Sequence, residues 1–336
     1  MPKLLLKLAV SIIVFAFVLS RIDIGAVGRA IGAADILFLT LALVLASTMV
    51  FTDAAFWQSV LGSLGHRISF GTALLYCVVG SFFGGFGLSW TGVDIFRAAQ
   101  LRRSGVATET AIRAVVATRL VSLTSLLAVI ACGLPIVLGY PLQSHDKILL
   151  VSFVVIGVGA MVGIVILGSA HNRFPLLKLP TFLNKAAGVS KDYVKTLTSK
   201  RHSPSSLLFS TFTHLLRVST FAAIAAAFHA EIKFATLFAL VPISLLVAMA
   251  PIALGSWGVR EASVIFFLGL AGVPATIALS ISVTYGVLAL LVDAIGGPVW
   301  VIARSHHYKL TVKDAPDSGM AASTGRGTFV TPRLKS

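Results

Sequence analysis

The chain has 336 residues, 57% of them hydrophobic and 12% charged, with a mean hydropathy of +0.96. A soluble domain carries roughly 25% charged residues, so this composition excludes a soluble globular protein and points to a polytopic membrane protein. The formal net charge of +15 does not imply nucleic acid, because the basic residues gather in a loop and a tail beside apolar runs, the positive-inside pattern that also suits anionic headgroups.

Residues 4–20, LLLKLAVSIIVFAFVLS, follow Lys3. No small-x-small cleavage site precedes the charged RIDIG, so they read as a retained first helix and not a removed signal peptide. A second span is expected at about 35–61. Residues 69–105 are apolar at first, then Gly-rich, then charged. Long apolar helices are expected at about 112–139 and 147–168. The run ILLVSFVVIGVGAMVGIVIL (148–167) lacks the alternation of a barrel strand, so the spans are helices. Gly159 and Gly163 inside it, and Gly80 with Gly84 earlier, have the spacing of close helix packing. Cys77 and Cys132 each lie in an apolar stretch and read as small packing residues without a disulfide framework. The basic loop 169–204 contains RFPLLKLP and a short surface helix. A span at 205–229, a broken region at 234–271 and a last span at 275–303 follow. Residues 304–336 are polar and read as a disordered cytoplasmic tail.

Charge decides the topology. If 69–93 crossed the membrane, Arg97, Arg102, Arg103 and Arg113 would lie outside, against the positive-inside bias. If it dips in and returns, that cluster stays inside with the 169–204 loop and both termini. Helix 35–61, hairpin 69–105 and helix 112–139 then repeat in outline as helix 205–229, hairpin 234–271 and helix 275–303. The expected fold is all-α: a polytopic helical membrane protein over 1–303. It holds two inverted repeats, at about 35–139 and 205–303, each with a broken, re-entrant helical hairpin. Broken elements in corresponding positions of two halves point to a substrate site near the midplane.

The charges in these hairpins are the candidate site. In MAPIALGSWGVREAS (249–263), Pro251, Gly255 and Gly258 break the helix and Arg260 and Glu261 follow. A helix start there exposes N–H groups and the positive dipole end, which suits phosphate, and Arg260 adds a fork for the same anion. Adjacent helix positions do not face each other, which disfavours a pairing of Arg260 with Glu261. The plainer reading is an interfacial arginine snorkelling to the surface. In SWTGVDIFRAAQLRR, Gly92 is the expected break, and Asp94 and Arg97 share a face. Arg119, inside the next helix, needs a partner, and Asp94 is the candidate. That pair either lines the substrate path or locks hairpin to helix. His214 and Arg217 share a face, Asp293 lies inside the last span and Asp53 late in the second; Arg217 with Asp293 is the economical pairing, with structural ion pairing as its rival. The eight histidines show no metal-ligand spacing, and no HExxH, P-loop or GxSxG motif occurs, so neither enzyme activity, metal nor cofactor is expected.

APIALGSWGVREASVIFFLGLAGVPATIALSISV resembles the second signature of the flippase-like transmembrane domain of lysylphosphatidylglycerol synthases and their stand-alone relatives. Pro251, Gly255, Gly258, Val259, Arg260, Glu261, Gly272, Val273, Pro274 and Ala278 fit it. TGVDIFRAAQLRRSGVATETAIRAVVATRL is similar to the first signature through Gly92, Asp94, Arg97 and Arg119, with departures at Leu88, Val93 and Thr118. The resemblance covers roughly residues 5–305. It implies a multi-pass inner-membrane protein that flips or scrambles a phosphate-bearing lipid, its termini cytoplasmic. Without the soluble catalytic domain of the fused members, the chain is not expected to make lysyl-lipid. The expected partners are a phospholipid or lipid-linked substrate, an anionic membrane surface and a lipid-modifying enzyme. The rival readings are an accessory scaffold for a lipid- or glycan-modifying enzyme and a carrier of a small anion. An accessory role shows as loss of function only in that enzyme's presence, and a small-anion carrier as an occluded central cavity.

Overall fold

The computed structural model describes residues 32–88, 90–139, 144–173, 181–249, 258–305 and 313–314, with Gly25 and Arg29. The expected first helix at 4–20 and nearly all of the tail lie outside them. Among the described residues, five helices, α1 (Ile36–Leu64), α4 (Thr108–Leu138), α5 (Ser144–Arg173), α7 (Ser203–Ala227) and α10 (Ala275–Ala294, continued by α11, Gly296–Ser305), contain stretches long and apolar enough to cross a membrane. The chain is a multi-pass α-helical membrane protein. The caps are local chemistry: Asp35 accepts from the Leu37 amide at 2.8 Å at the start of α1, and Gly65, at φ 99°, ends it.

Two pairs of shorter helices stand between the spans. The first is α2 (Phe70–Phe83), a π-helical turn (Gly84–Leu88) and α3 (Trp90–Arg103). The second is α8 (Phe234–Ala248) and α9 (Val259–Leu270). At 1.5 Å per residue, α2 is about 21 Å long, short of a hydrocarbon core of about 30 Å. The amphipathic α6 (Thr181–Thr198), the surface helix expected in the basic loop, lies across the ends of α1 and α4.

Polar seams fix which ends meet. The Asp35 amide donates to the Ala227 carbonyl at 2.9 Å, while Ser59 meets Ser205 at the other extreme, so α1 and α7 are antiparallel. Ser63 meets Thr196 at 2.8 Å, Lys195 reaches the Leu64 carbonyl, and Arg113 pairs with Asp192 at 3.1 Å. These contacts gather the end of α1, the start of α4, α6 and the start of α7 at one basic end. α2 starts there after His66–Arg67 (β1), which pairs antiparallel with Lys313–Asp314 (β2). α3 returns to it, with Leu101 buried among Leu61, Ile68 and Ala111. α8 instead follows the far end of α7. Ala230, Ile232, Ala271 and Val273 all pack on the core cluster that takes in Ala42 from the early part of α1.

Glycines set the closest approaches, and two expectations change here. Gly92 does not interrupt a helix; it lies inside α3, where an added Cβ would strike the Phe83 carbonyl. The interruption falls earlier, at the π turn, because GGFGL can widen its hydrogen-bond ladder without side-chain crowding. Gly159 and Gly163 make no close helix contact among the described residues, since nothing there lies within 4 Å of a Cβ built at either. α5 turns that face outward, with Val155, Ile156, Val158 and Val162 exposed. Gly80 does serve close packing, against Val93 and Phe96 of α3.

Candidate functional site

The first charged contact is between α3 and α4. Arg119 Nε donates to Asp94 Oδ2 at 2.9 Å and Nη2 to Oδ1 at 3.0 Å, a two-point pairing that ties the start of α3 to the middle of α4. Arg97, on the same face as Asp94, turns away from it. Its Nη2 donates to Cys77 Sγ at 3.0 Å, and its guanidinium carbon lies 5.2 Å from the Trp57 ring centroid. Cys77 is therefore a hydrogen-bond acceptor for a buried cation as well as a packing residue, while Cys132 is exposed. Arg97 is 9% exposed, and its Nε has no hydrogen-bond partner among the described residues.

At the second break, Pro251 and Gly255 lie outside the described residues, and Gly258, at φ 85°, starts α9. Glu261 reaches back to the Gly258 amide at 2.6 Å, the returning half of a capping box. That bend carries its carboxylate beside the stem of Arg260, whose Nε donates to Oε1 at 3.0 Å. The neighbours thus pair after all. The rule that adjacent positions face apart holds for side chains projecting outward, and the capping bend removes that condition. Glu261 is fully buried and also accepts from Ser282 of α10 at 3.4 Å.

In α7, His214 Nε2 lies 3.1 Å from the Ser122 carbonyl, and Arg217 Nη1 3.4 Å from His214 Nδ1. The carbonyl requires the Nε2–H tautomer, which leaves Nδ1 free to accept from Arg217. Asp293, in α10, rests over the π turn: a Cβ on Gly85 would lie 3.2 Å from its Cγ.

These elements border a half-open cavity of about 240 Å³ between α1, the first short-helix pair, α4, α7, α9 and α10. Arg97, Arg119, Arg217 and Arg260 line it with Asp53, Asp293 and Tyr285. Its α1 wall, Ala46 to Asp53, is the middle of a 29-residue helix, so the charges converge well inside the spans. Asp94 and Glu261 are not part of the wall; they hold Arg119 and Arg260 from behind. Arg217 and Asp293 share the cavity as its opposite charges.

A family model described as the lysylphosphatidylglycerol synthase TM region matches residues 4–297. The chain belongs to that family. A comparison with curated proteins finds no match. For this member of the lysylphosphatidylglycerol synthase TM region, the sequence named four arginines, and all four face one cavity. It passed over Tyr285, Ser81 and Gly85. Tyr285 lies in a helix of ordinary apolar periodicity, and only its stacking on Phe221, at 4.5 Å between centroids, turns it toward Arg260. The signal for Gly85 was present in GGFGL but gave no hint of the carboxylate it makes room for.

Proposed function

We propose that the protein is a lipid flippase or scramblase that carries a phosphate-bearing headgroup through the charged cavity while the acyl chains stay in lipid. The observation that carries this reading is the convergence of four arginines on one cavity inside the spans. Ionisable groups at that depth pair with one another or face a polar path. Arg119 and Arg260 have their carboxylates behind the wall. Arg97 makes no ion pair among the described residues, and its buried Nε meets no acceptor among them. Planar guanidinium forks match phosphate oxygens.

In this reading the two halves are inverted repeats whose short-helix pairs open the cavity alternately to either leaflet. The basic end faces the cytoplasmic leaflet of the inner membrane, where its charges meet anionic headgroups. The chain transports and does not catalyse, and needs no cofactor. A lipid-modifying enzyme is the partner that would supply its substrate.

The test is reconstitution of the full chain in liposomes with trace acyl-labelled phospholipid, followed by dithionite quenching, wild type beside Arg97→Met. Methionine keeps much of the volume and removes the charge. Quenching beyond the outer-leaflet fraction in the wild type, lost in a variant of unchanged melting temperature, supports the reading. Equal movement in both removes the anion site. An inert wild type, across anionic and zwitterionic lipids, removes translocation itself.

A further inference from the structure

The acidic side of the same cavity narrows the class of headgroup, an inference that rests on the translocation reading. Asp53 and Asp293 line the wall with the four arginines. Neither carboxylate makes an ion pair among the described residues. They stand close enough to act on each other electrostatically, and Asp53 acts on Arg97 as well. Two neighbouring carboxylates repel inside low-dielectric surroundings unless a cation joins them or one of them takes up a proton. Arg97 is more than nine-tenths buried at the same wall, with an Nε that has no acceptor among the described residues. Among the described residues, Asp53 and Asp293 thus face the cavity without a cation in ion-pair range, and Arg97 faces it with an Nε that no acceptor reaches. Gly85 keeps the Asp293 carboxylate open to the cavity, because any side chain there would occupy the carboxylate's place.

The geometry points to a ligand that carries both charges a short distance apart: a phosphodiester with a short primary-ammonium arm, the phosphate on Arg97 and the N–H donors on Asp53 and Asp293. A glycerol headgroup supplies the phosphate alone. A quaternary ammonium supplies charge but no N–H to donate. A headgroup of this kind offers a partner to Arg97 and to the two carboxylates at once.

The test uses the full chain in liposomes with three lipids labelled on the acyl chain, so that the headgroup amine stays free: ethanolamine, glycerol and choline phospholipids. The ethanolamine lipid is expected to move about tenfold faster than the glycerol lipid, the size of one charge-assisted hydrogen bond. Asp53→Asn and Asp293→Asn, nearly isosteric, are each expected to bring that ratio toward one, with melting temperature checked beside each. Equal rates for the ethanolamine and glycerol lipids in the wild type, or a ratio unmoved by both variants, overturn this inference and leave translocation standing. No movement of any lipid overturns the parent reading. Uptake of radiolabelled O-phosphoethanolamine is the second arm. Uptake without lipid movement keeps the ligand chemistry and replaces the lipid by a free solute.

Discussion

Arg119 and Asp94 face each other through two N–H···O contacts, with their side chains 26% and 25% exposed. Removing one partner of a fully buried pair costs about 3–5 kcal/mol, and partial exposure brings this down to about 2 kcal/mol. Arg119→Ala and Asp94→Ala are each expected to lower stability by that order, and the double variant by clearly less than their sum. Thermal unfolding in detergent across the four proteins checks it; additive losses would mean that the pair does not couple. Outside the spans, His202 sits over Gly62, where an added Cβ would lie 2.7 Å from its ring. Burial, then Arg201 and Arg67, push its pKa down. A depressed histidine stays neutral when folded while the unfolded chain takes up a proton, so its stabilising contribution is present above the ordinary imidazole pKa of about 6.5 and is lost as pH falls below it. Melting temperature against pH is expected to fall less steeply below that value in His202→Gln than in the wild type; parallel curves would assign the acid sensitivity elsewhere.

At the scale of elements, three glycines separate packing from propensity. In Gly92→Ala the new methyl meets backbone, the Phe83 carbonyl, which cannot swing aside. In Gly296→Ala it meets the Val78 carbonyl and lies 2.7 Å from Phe82 Cβ. Each is expected to destabilise by about 1–3 kcal/mol, the range of overpacking. Gly159→Ala meets nothing within 4 Å and is expected to be neutral or slightly stabilising, since alanine is the better helix former by about 1 kcal/mol. Melting temperatures of the three variants decide; a destabilised Gly159→Ala would reveal a partner on that face of α5. The contrast also marks how far the sequence could be read. The five spans were legible because hydropathy accumulates over about 20 residues and ignores detail. The short-helix pairs were legible from glycine and from arginines that could not be left on the wrong side. What depends on which way one side chain turns was not legible. Gly92 and Gly159 look alike in sequence; one lies against a carbonyl and the other against open space. Arg97 and Arg119 are equally plausible partners for Asp94 by spacing, and only the approach of α4 decides between them.

On the scale of the whole molecule, the last long helix of each half rests on the first short helix of the other. Gly133 of α4 lies so close to Ala239 of α8 that an added Cβ would be 2.9 Å from its Cα, and Gly296, at the start of α11, abuts Val78 of α2. Such reciprocal contacts are what two halves related by inversion would make, and they leave the cavity between the halves. The proposed inversion has a consequence that labelling can read. Ala107, in the turn from α3 to α4, lies at the basic end, and Glu231, between α7 and α8, lies at the far end; both are exposed. Single cysteines at these positions, in a Cys132→Ala background with Cys77 left buried, are expected to react with a membrane-impermeant maleimide from opposite faces. Ala107→Cys should label only in inside-out vesicles and Glu231→Cys only in intact spheroplasts, if the basic end faces the cytoplasm as proposed from the positive-inside bias. Labelling of both from one face would require one short-helix pair to cross completely. Such a result would break the inverted arrangement and, with it, alternate opening of the cavity to the two leaflets.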